Sequence, residues 1–297
     1  MNYKILIILV ILVNIIISII YSNYSYYLFK KSAPKNIIYP IKDDIKLPFI
    51  EKGKTIPEKI YRICVNLDKN CFKKAIDKTQ EIMPDYQQII FDDDMIEKFI
   101  KTNYSERVWK AYDSIDNKFF PAKADLFRYL LIYKEGGIYL DIKSSIVKDL
   151  KPILKNNEDK LLISHWVNYK AGLIPLQHLV NAPNHVVVKN NYGEYQNWHV
   201  ISPKGNPILR EVIKQTITNI EYGLVEKTYK NGKRSVLACT GPVMYSLVIS
   251  KNFDDEHVKI FGKNLNDKLE YKYVNHKEVT KDKHYSKLGN LNILKIK

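Results

Sequence analysis

Hydrophobic positions along the chain change spacing several times, and each change marks a predicted element. Apolar runs at residues 60–67 and 87–91 predict buried strands, whereas residues 68–83 and 95–101 have the spacing of amphipathic helices. A longer helix is predicted over residues 122–133, because its apolar positions recur at core spacing. Strands and helices therefore alternate through the first half of the chain.

The clearest boundary follows that long helix. Gly136 and Gly137 end it, because glycine tolerates the backbone conformations that stop helices, and residues 138–142 predict the next strand. Such alternation is typical of an α/β domain with a mostly parallel sheet and helices on both faces. Downstream, weaker patterns predict strands at 160–164, 185–188 and 271–274 and a helix at 207–222.

The amino terminus has a different pattern. Residues 5–20 are apolar apart from Asn14 and Ser18, and a tyrosine-rich belt follows. This length suits a membrane span of about 20 residues. Because no small-x-small cleavage site is evident, the pattern favours an uncleaved signal anchor over a cleaved signal peptide. The flanking lysines do not settle the orientation.

Three regions are therefore predicted. A signal-anchor transmembrane segment occupies residues 1–29, and a linker or stem with several prolines occupies residues 30–55. One globular domain occupies residues 56–297. A glycosylation sequon at Asn103 favours a lumenal location for that domain.

The net charge is large, but it does not indicate a nucleic-acid interface. The 297 residues include 47 basic and 32 acidic side chains, a formal net charge of +15. The lysines are scattered, with no arginine-rich run, so codon bias or a basic surface explains the excess better than a nucleic-acid interface. No nucleic-acid partner is expected, although the charge suits an anionic ligand such as a nucleoside-diphosphate donor.

The cysteines give no metal site, because Cys64, Cys71 and Cys239 lack the spacing of metal ligands. Cys64 lies in an apolar run and is interpreted as a small core residue. A Cys64–Cys71 disulfide stays open for an oxidising compartment.

Candidate chemistry gathers around the two-glycine turn. Asp125 and Arg128 are three residues apart on the predicted helix and share a face. They form either a local ion pair or a pair that hydrogen-bonds the hydroxyls of a sugar. Tyr139 and Asp141 alternate with apolar residues and project to the other face of the strand. A carboxylate at a strand end is costly to bury unless it is paired or metal-bound, and ligands of α/β domains bind at this edge.

These residues resemble the sugar-binding region of the DXD-type glycosyltransferases, most closely glycosyltransferase family 32. The matching motifs are Ile56-Pro57-Glu58-Lys59-Ile60, Pro84-Asp85-Tyr86, Phe91-Asp92-Asp93, Ala124-Asp125, Arg128-Tyr129, Gly136-Gly137 with Tyr139 and Asp141, Thr240-Gly241-Pro242 and Lys283-His284-Tyr285-Ser286. The resemblance implies a GT-A-type fold and transfer of a hexose, with retention, from a UDP- or GDP-sugar to a glycan or glycoprotein acceptor.

The resemblance also implies roles for single residues. Asp125 and Arg128 would hold the donor sugar, and Tyr139 would lie near the nucleotide. Asp141 would reach the ribose or a Mn²⁺ or Mg²⁺ ion that bridges the diphosphate. His284 and Ser286 would close over the diphosphate.

Lys143 departs from the family pattern, because it stands where the second acid is expected and an ammonium does not ligate a cation. Three interpretations stay open. Asp141 holds the metal together with phosphates, water and a residue such as His284; Lys143 itself neutralises the diphosphate; or the protein is an inactive relative that keeps nucleotide-sugar binding. The presence of Asp125, Arg128, Tyr139 and Asp141 favours an active enzyme.

Other candidates are weaker. The run Asp92-Asp93-Asp94 is more typical of a helix cap than of a metal site. Trp166 either stacks a sugar or packs in the core. Gln196, Asn197 and His199 lie where the family has a loop near the donor, but a surface loop with satisfied hydrogen bonds is the preferred interpretation. The sequence as a whole predicts a hexosyltransferase with a single membrane span, in a Golgi- or ER-type lumenal setting or a viral or host membrane.

Overall fold

The computed structural model describes residues 11–17, 20, 39–65, 69–166, 194–226, 232–274 and 291–295. Strands within these ranges are Lys59–Ile63 (β1), Gln87–Phe91 (β2), Gly137–Leu140 (β3), Ser145–Ile146 (β4), Leu161–Ser164 (β5), His199–Ser202 (β6), Val258–Phe261 (β7) and Leu269–Glu270 (β8). The main helices are Lys73–Ile82 (α1), Asp93–Asn103 (α2), Glu106–Asp113 (α3), Phe120–Glu135 (α4), Lys151–Lys155 (α5), Pro207–Glu226 (α6), Gly232–Cys239 (α7) and Pro242–Lys251 (α8).

Six of the strands form one sheet in the order β2-β1-β3-β6-β5-β7. Strand β1 pairs in parallel with β2 and β3, and β5 pairs in parallel with β7. Strand β6 runs antiparallel to both of its neighbours, β3 and β5. Five strands therefore share one direction, which confirms the predicted α/β domain with a mostly parallel sheet and brings five carboxyl ends to one edge.

Both faces of this sheet are covered, as the sequence predicts. Ile60 and Ile138 face a buried cluster that includes residues of α5 and β8. Tyr61 and Tyr139, the next residues along the same strands, face a larger cluster formed with α2, α3, α4, α6 and α8. Alternation along the strands thus divides the core into two layers.

Helix α4 lies at the centre of the larger layer. Each residue from Ala122 to Tyr133 is buried, including the polar ones. The helix ends at Gly136, whose φ is 70° and ψ −172°, a conformation open to glycine alone. A Cβ at Gly136 would lie 2.7 Å from the backbone nitrogen of Lys204. The predicted glycine stop is therefore confirmed, and it fixes the direction in which the chain enters β3.

The packed domain begins before residue 56. Tyr39, Ile45 and Leu47 are buried in the larger layer. The ring of Tyr39 stacks on that of Tyr222, with 4.6 Å between centroids. Residues 39–55 of the predicted linker therefore lie against the domain.

The predicted membrane segment, residues 1–29, lies outside the described residues except for 11–17 and 20. In the part of the chain that the structure describes, no helix combines the length and apolar character needed to cross a membrane. The signal anchor stays a prediction from the sequence.

Several downstream expectations are changed. Residues 271–274 form a turn rather than the predicted strand, since Lys272 has a φ of 61° that an extended strand does not accommodate. The strand predicted at 185–188 lies outside the described residues. Strand β6 and helix α3 are not among the predicted elements. Strand β6 has only two apolar residues, Val200 and Ile201, side by side between polar ones, and the apolar residues of α3 span little more than one turn. Cys64 is buried and Cys71 is exposed, and no disulfide joins the two.

Candidate active site

Two buried charges on α4 meet the end of β3. Asp125 and Arg128 are each 5% exposed. Arg128 Nη2 lies 3.4 Å from Asp125 Oδ1 and 3.3 Å from Asp141 Oδ1. One guanidinium therefore bridges two carboxylates at the edge of the sheet where α/β domains bind ligands. The structure brings these three predicted residues into one cluster.

Asp125 is held by two neutral donors. Asn197 Nδ2 donates to Oδ1 over 3.0 Å, and Thr240 Oγ1 donates to Oδ2 over 2.9 Å. Burial raises the pKa of Asp125 to about 6, although the charge of Arg128 and the hydrogen bond from Thr240 lower it. Each carboxylate oxygen has a second lone pair, so the group retains capacity to accept a hydrogen bond from a ligand.

Arg128 is a fixed cation. Its Nη1 donates to the backbone oxygen of Asn197 over 2.5 Å, and its Nε donates to the backbone oxygen of Ala124 over 3.2 Å. The guanidinium carbon lies 4.7 Å from the centroid of the Tyr139 ring. Burial opposes the charge, but the nearby carboxylates raise the pKa of Arg128 above its ordinary value. The side chain therefore stays charged and has little freedom to move.

Asp141 is the more accessible carboxylate, with 20% of its side chain exposed. The hydroxyl of Tyr139 donates to its Oδ1 over 3.1 Å. Lys143 Nζ lies 3.9 Å from its Oδ2 and 4.8 Å from the centroid of the Tyr271 ring. Cations therefore face both oxygens of Asp141, and Lys143 lies between a carboxylate and an aromatic face.

The side chains around Asp141 do not fit a divalent cation that is held by two acids of one motif. Mn²⁺ and Mg²⁺ prefer several oxygen ligands, and an ammonium supplies none. Lys143 offers a positive charge where the second acid is expected, and Arg128 offers another on the opposite side of Asp141. Asp141 is therefore the single carboxylate ligand that this motif can give.

A second group of potential ligands lies elsewhere. Asp254, Glu256 and His257 have ligand atoms within 4.8 Å of one another, the one such group among the residues described. They precede β7 and so lie at the opposite edge of the sheet from Asp141. Asp254 Oδ2 is 2.6 Å from His257 Nδ1, so these two side chains already pair with each other.

Other sequence candidates have structural roles. Asp92 Oδ1 accepts a hydrogen bond from the backbone nitrogen of Met95 over 2.9 Å, which confirms the helix-cap interpretation. Trp166 meets the ring of Tyr271 edge-on, with 5.3 Å between centroids. His284 and Ser286 lie outside the described residues.

The surface-loop interpretation of residues 196–199 is wrong. Gln196, Asn197 and His199 are 0%, 6% and 1% exposed. They lead into β6, and because β6 is antiparallel its start lies at the same edge as the end of β3. No apolar run or alternation marks this burial, because polar residues precede β6, although the resemblance to family 32 implies a loop near the donor at these positions. Thr240 belongs to a recognised motif, but its bond to Asp125 was not predicted.

A cleft of about 230 Å³ opens at the same edge. Val65 and Asp93 line it shortly after the ends of β1 and β2, and Lys123 lines it two positions before Asp125 on α4. Trp109 and Phe120 supply aromatic surface. The cleft therefore combines aromatic side chains with both signs of charge.

The family comparison agrees with this site. Residues 69–160 match the family model described as the glycosyltransferase sugar-binding region containing the DXD motif. The matched segment includes Asp125, Arg128, Asp141 and Lys143. The resemblance predicted from the sequence is therefore confirmed over this segment.

Similar proteins carry related names. An initiation-specific alpha-1,6-mannosyltransferase of Candida albicans is 26% identical over 208 residues, which cover 66% of this chain and 53% of that protein. Inositol phosphoceramide mannosyltransferase 3 of Schizosaccharomyces pombe is 33% identical over 105 residues, or 35% and 25% of the two chains. The solved PaToxG glycosyltransferase has a TM-score of 0.45 at 19% identity, covering 79% of this chain and 77% of that one. The chain spans about half the length of the first of these relatives.

Asp125→Asn should remove a pH dependence of stability. A carboxyl whose pKa is raised on folding, from 3.8 to about 6, adds stability below pH 4 that is lost as the pH rises through 6. Between pH 4 and pH 7, the free energy of unfolding of the wild type should fall by up to about 3 kcal/mol relative to the variant. Urea denaturation at each pH measures this difference, with the exposed Asp94→Asn as control. A difference that does not vary with pH would contradict the raised pKa.

Proposed function

We propose that this protein is a glycosyltransferase that moves a hexose from a nucleoside-diphosphate sugar to a glycan or glycoprotein acceptor. The observation that carries the proposal is the cluster of Asp125, Arg128 and Asp141 at the ligand-binding edge of the sheet. Carboxylates accept hydrogen bonds from sugar hydroxyls and a guanidinium donates to them, each in a fixed geometry. The names of the similar proteins support mannose as the first hexose to test.

The nucleoside of the donor is proposed to occupy the cleft beside Lys123. Its lining includes the aromatic ring of Phe120, which suits contact with a base, and Asp93 can accept a hydrogen bond from a hydroxyl. The sugar then lies toward Asp125 and Arg128, and the diphosphate lies between, near Asp141 and Lys143. This order follows the positions of those residues along one edge.

In the reaction, the bond between C1 of the sugar and the diphosphate oxygen breaks, and the nucleoside diphosphate leaves with the electron pair. A bond forms from C1 to an acceptor hydroxyl oxygen, whose proton passes to the departing diphosphate. The resemblance to family 32 supports retention at C1. Negative charge grows on the leaving group, and fixed cations near it lower the energy of the transition state. Lys143 and Arg128 are the cations proposed for this task.

The same arrangement supports a reduced role for a divalent cation. A bound Mn²⁺ or Mg²⁺ ion would stabilise the leaving diphosphate as a Lewis acid. Lys143 already supplies positive charge beside Asp141, at 3.9 Å. We therefore propose that activity depends less on a bound divalent cation here than in a site where two acids hold the metal.

A second candidate function is nucleotide-sugar binding without turnover, and the lysine in place of an acid is the observation that favours it. The two candidates differ in one assay. A binding protein would be stabilised thermally by a UDP- or GDP-sugar, in proportion to ln(1 + [L]/Kd), but would form no product in a long incubation. Formation of product would exclude it.

The apolar pattern of residues 5–20 supports a proposal that the protein is anchored in a membrane, with its domain on the lumenal side. We expect the full chain to stay in the pellet of a carbonate-washed membrane fraction and a chain starting at residue 39 to be released. Release of the full chain by carbonate would contradict the anchor.

Asp141→Ala should lower transfer and donor hydrolysis about 100-fold or more while the protein stays folded. The substitution removes the one accessible carboxylate at the end of β3. Product formation from UDP- and GDP-sugars gives the rate, and circular dichroism checks the fold. Asp94→Ala, an exposed carboxylate at the start of α2, serves as the control. Activity within a few-fold of the wild type would remove Asp141 from the mechanism.

EDTA should reduce the activity of the wild type only in part, because Lys143 does some of the work of a cation. Lys143→Asp should make the activity strongly dependent on added Mn²⁺. Lys148→Asp makes the same change of charge at an exposed position and should leave the metal response as it is. If EDTA abolished the activity of the wild type, the site would be an ordinary metal-dependent one.

A further inference from the structure

Arg62 is a buried cation beneath the turn that carries Asp141. It lies on β1 and is 0% exposed. Its Nη1 donates to the backbone oxygens of Ser144 over 2.7 Å and of Asp141 over 3.2 Å. Its Nη2 donates to Thr79 Oγ1 over 2.8 Å, and its Nε to Gln88 Oε1 over 3.3 Å. Every one of these acceptors is neutral.

The charge of Arg62 is not needed for these hydrogen bonds. Among the described residues no carboxylate pairs directly with this guanidinium, and a buried cation without such a partner costs stability. Burial lowers the pKa of Arg62 to about 10, with Tyr139 and Asp141 acting in the opposite direction, so the group is charged at neutral pH. The positive charge of Arg62 therefore interacts with Asp141, which follows the end of the adjacent strand β3.

The balance of charge at the strand end is positive. Three cations, Arg62, Arg128 and Lys143, lie around the turn after β3. Two carboxylates, Asp125 and Asp141, oppose them. A dianionic or trianionic ligand offsets such an excess, and a neutral one does not.

We propose that Arg62 is a positioning residue for a diphosphate: it fixes the turn from Asp141 to Ser144 and supplies buried positive charge behind Asp141. The inference rests on the proposed function, because it needs a nucleoside diphosphate at this edge. Arg62 does not touch the ligand in this arrangement. It acts through the backbone of the turn and through its field.

The first test compares Arg62→Gln with the wild type in EDTA by calorimetric titration with UDP, GDP and the corresponding nucleosides. We expect the affinity for the diphosphate to fall about tenfold and the affinity for the nucleoside to change less than twofold. Arg107→Gln, which removes a cation paired with Glu221 and Asp44 elsewhere on the domain, should leave both affinities unchanged. Equal losses for diphosphate and nucleoside, or no loss at all, would overturn the role of Arg62.

A second variant, Arg62→Lys, tests the proposal if Arg62→Gln does not fold. Arg62→Lys retains the charge at pH 7, where diphosphate affinity should stay within about threefold of the wild type. Burial disfavours the charged form of lysine, so the variant should lose its charge at a lower pH than arginine does, between pH 7 and about 9.5. Affinity should then fall at least fivefold more than in the wild type, and an equal response of both proteins would overturn the proposal. A wild type that binds neither UDP nor GDP would instead overturn the proposed function, and this inference with it.

Discussion

The burial of Asp125 and Arg128 in the middle of α4 is the constraint on which the site depends. Most other residues of that stretch of helix are apolar and pack in the core, so the charges of Asp125 and Arg128 must be satisfied from other elements. Asn197 reaches Asp125 from the start of β6, and Thr240 reaches it from the residue after α7. Polar contacts thus fix two elements, β6 and α7, relative to α4. Loss of one partner would leave a buried charge with too few hydrogen bonds, which costs more than the bond itself is worth.

A turn with strained backbone dihedral angles lies next to these buried contacts. Four successive residues from Asn264 to Asp267 have φ between 47° and 59°, in the left-handed region. Each costs about 1–2 kcal/mol relative to a right-handed conformation. Asn264 exchanges two hydrogen bonds with the buried amide of Gln196, of 2.7 and 3.1 Å, and Gln196 adjoins Asn197. The strained turn is therefore tied to the wall of the site, and it leads through β8 to Tyr271, whose ring meets Lys143.

Much of the fold could be predicted because its elements in the first half of the chain have regular periods. Strand β2 has the predicted bounds, and α4 extends the predicted helix by two residues at each end. Asp125, Arg128 and Asp141 could be predicted as neighbours, because one local motif carries all three. The partners of Asp125 could not: Asn197 is 72 residues away in sequence and Thr240 is 115 away. The contact of Asn197 depends on the antiparallel insertion of β6, whose sequence of two apolar residues between polar ones shows neither an apolar run nor alternation.

Lys143 changes the formal charge beside Asp141. A lysine in place of an aspartate changes the formal charge by two units, which equals the charge of one divalent cation. Charge alone does not replace a metal, because an ion also fixes the positions of its ligands. Here fixed positions come from the protein instead: Tyr139 holds Asp141, and the backbone of Asn197 holds Arg128. The lysine itself is restrained between Asp141 and the ring of Tyr271, so it offers charge at a defined point rather than on a free chain.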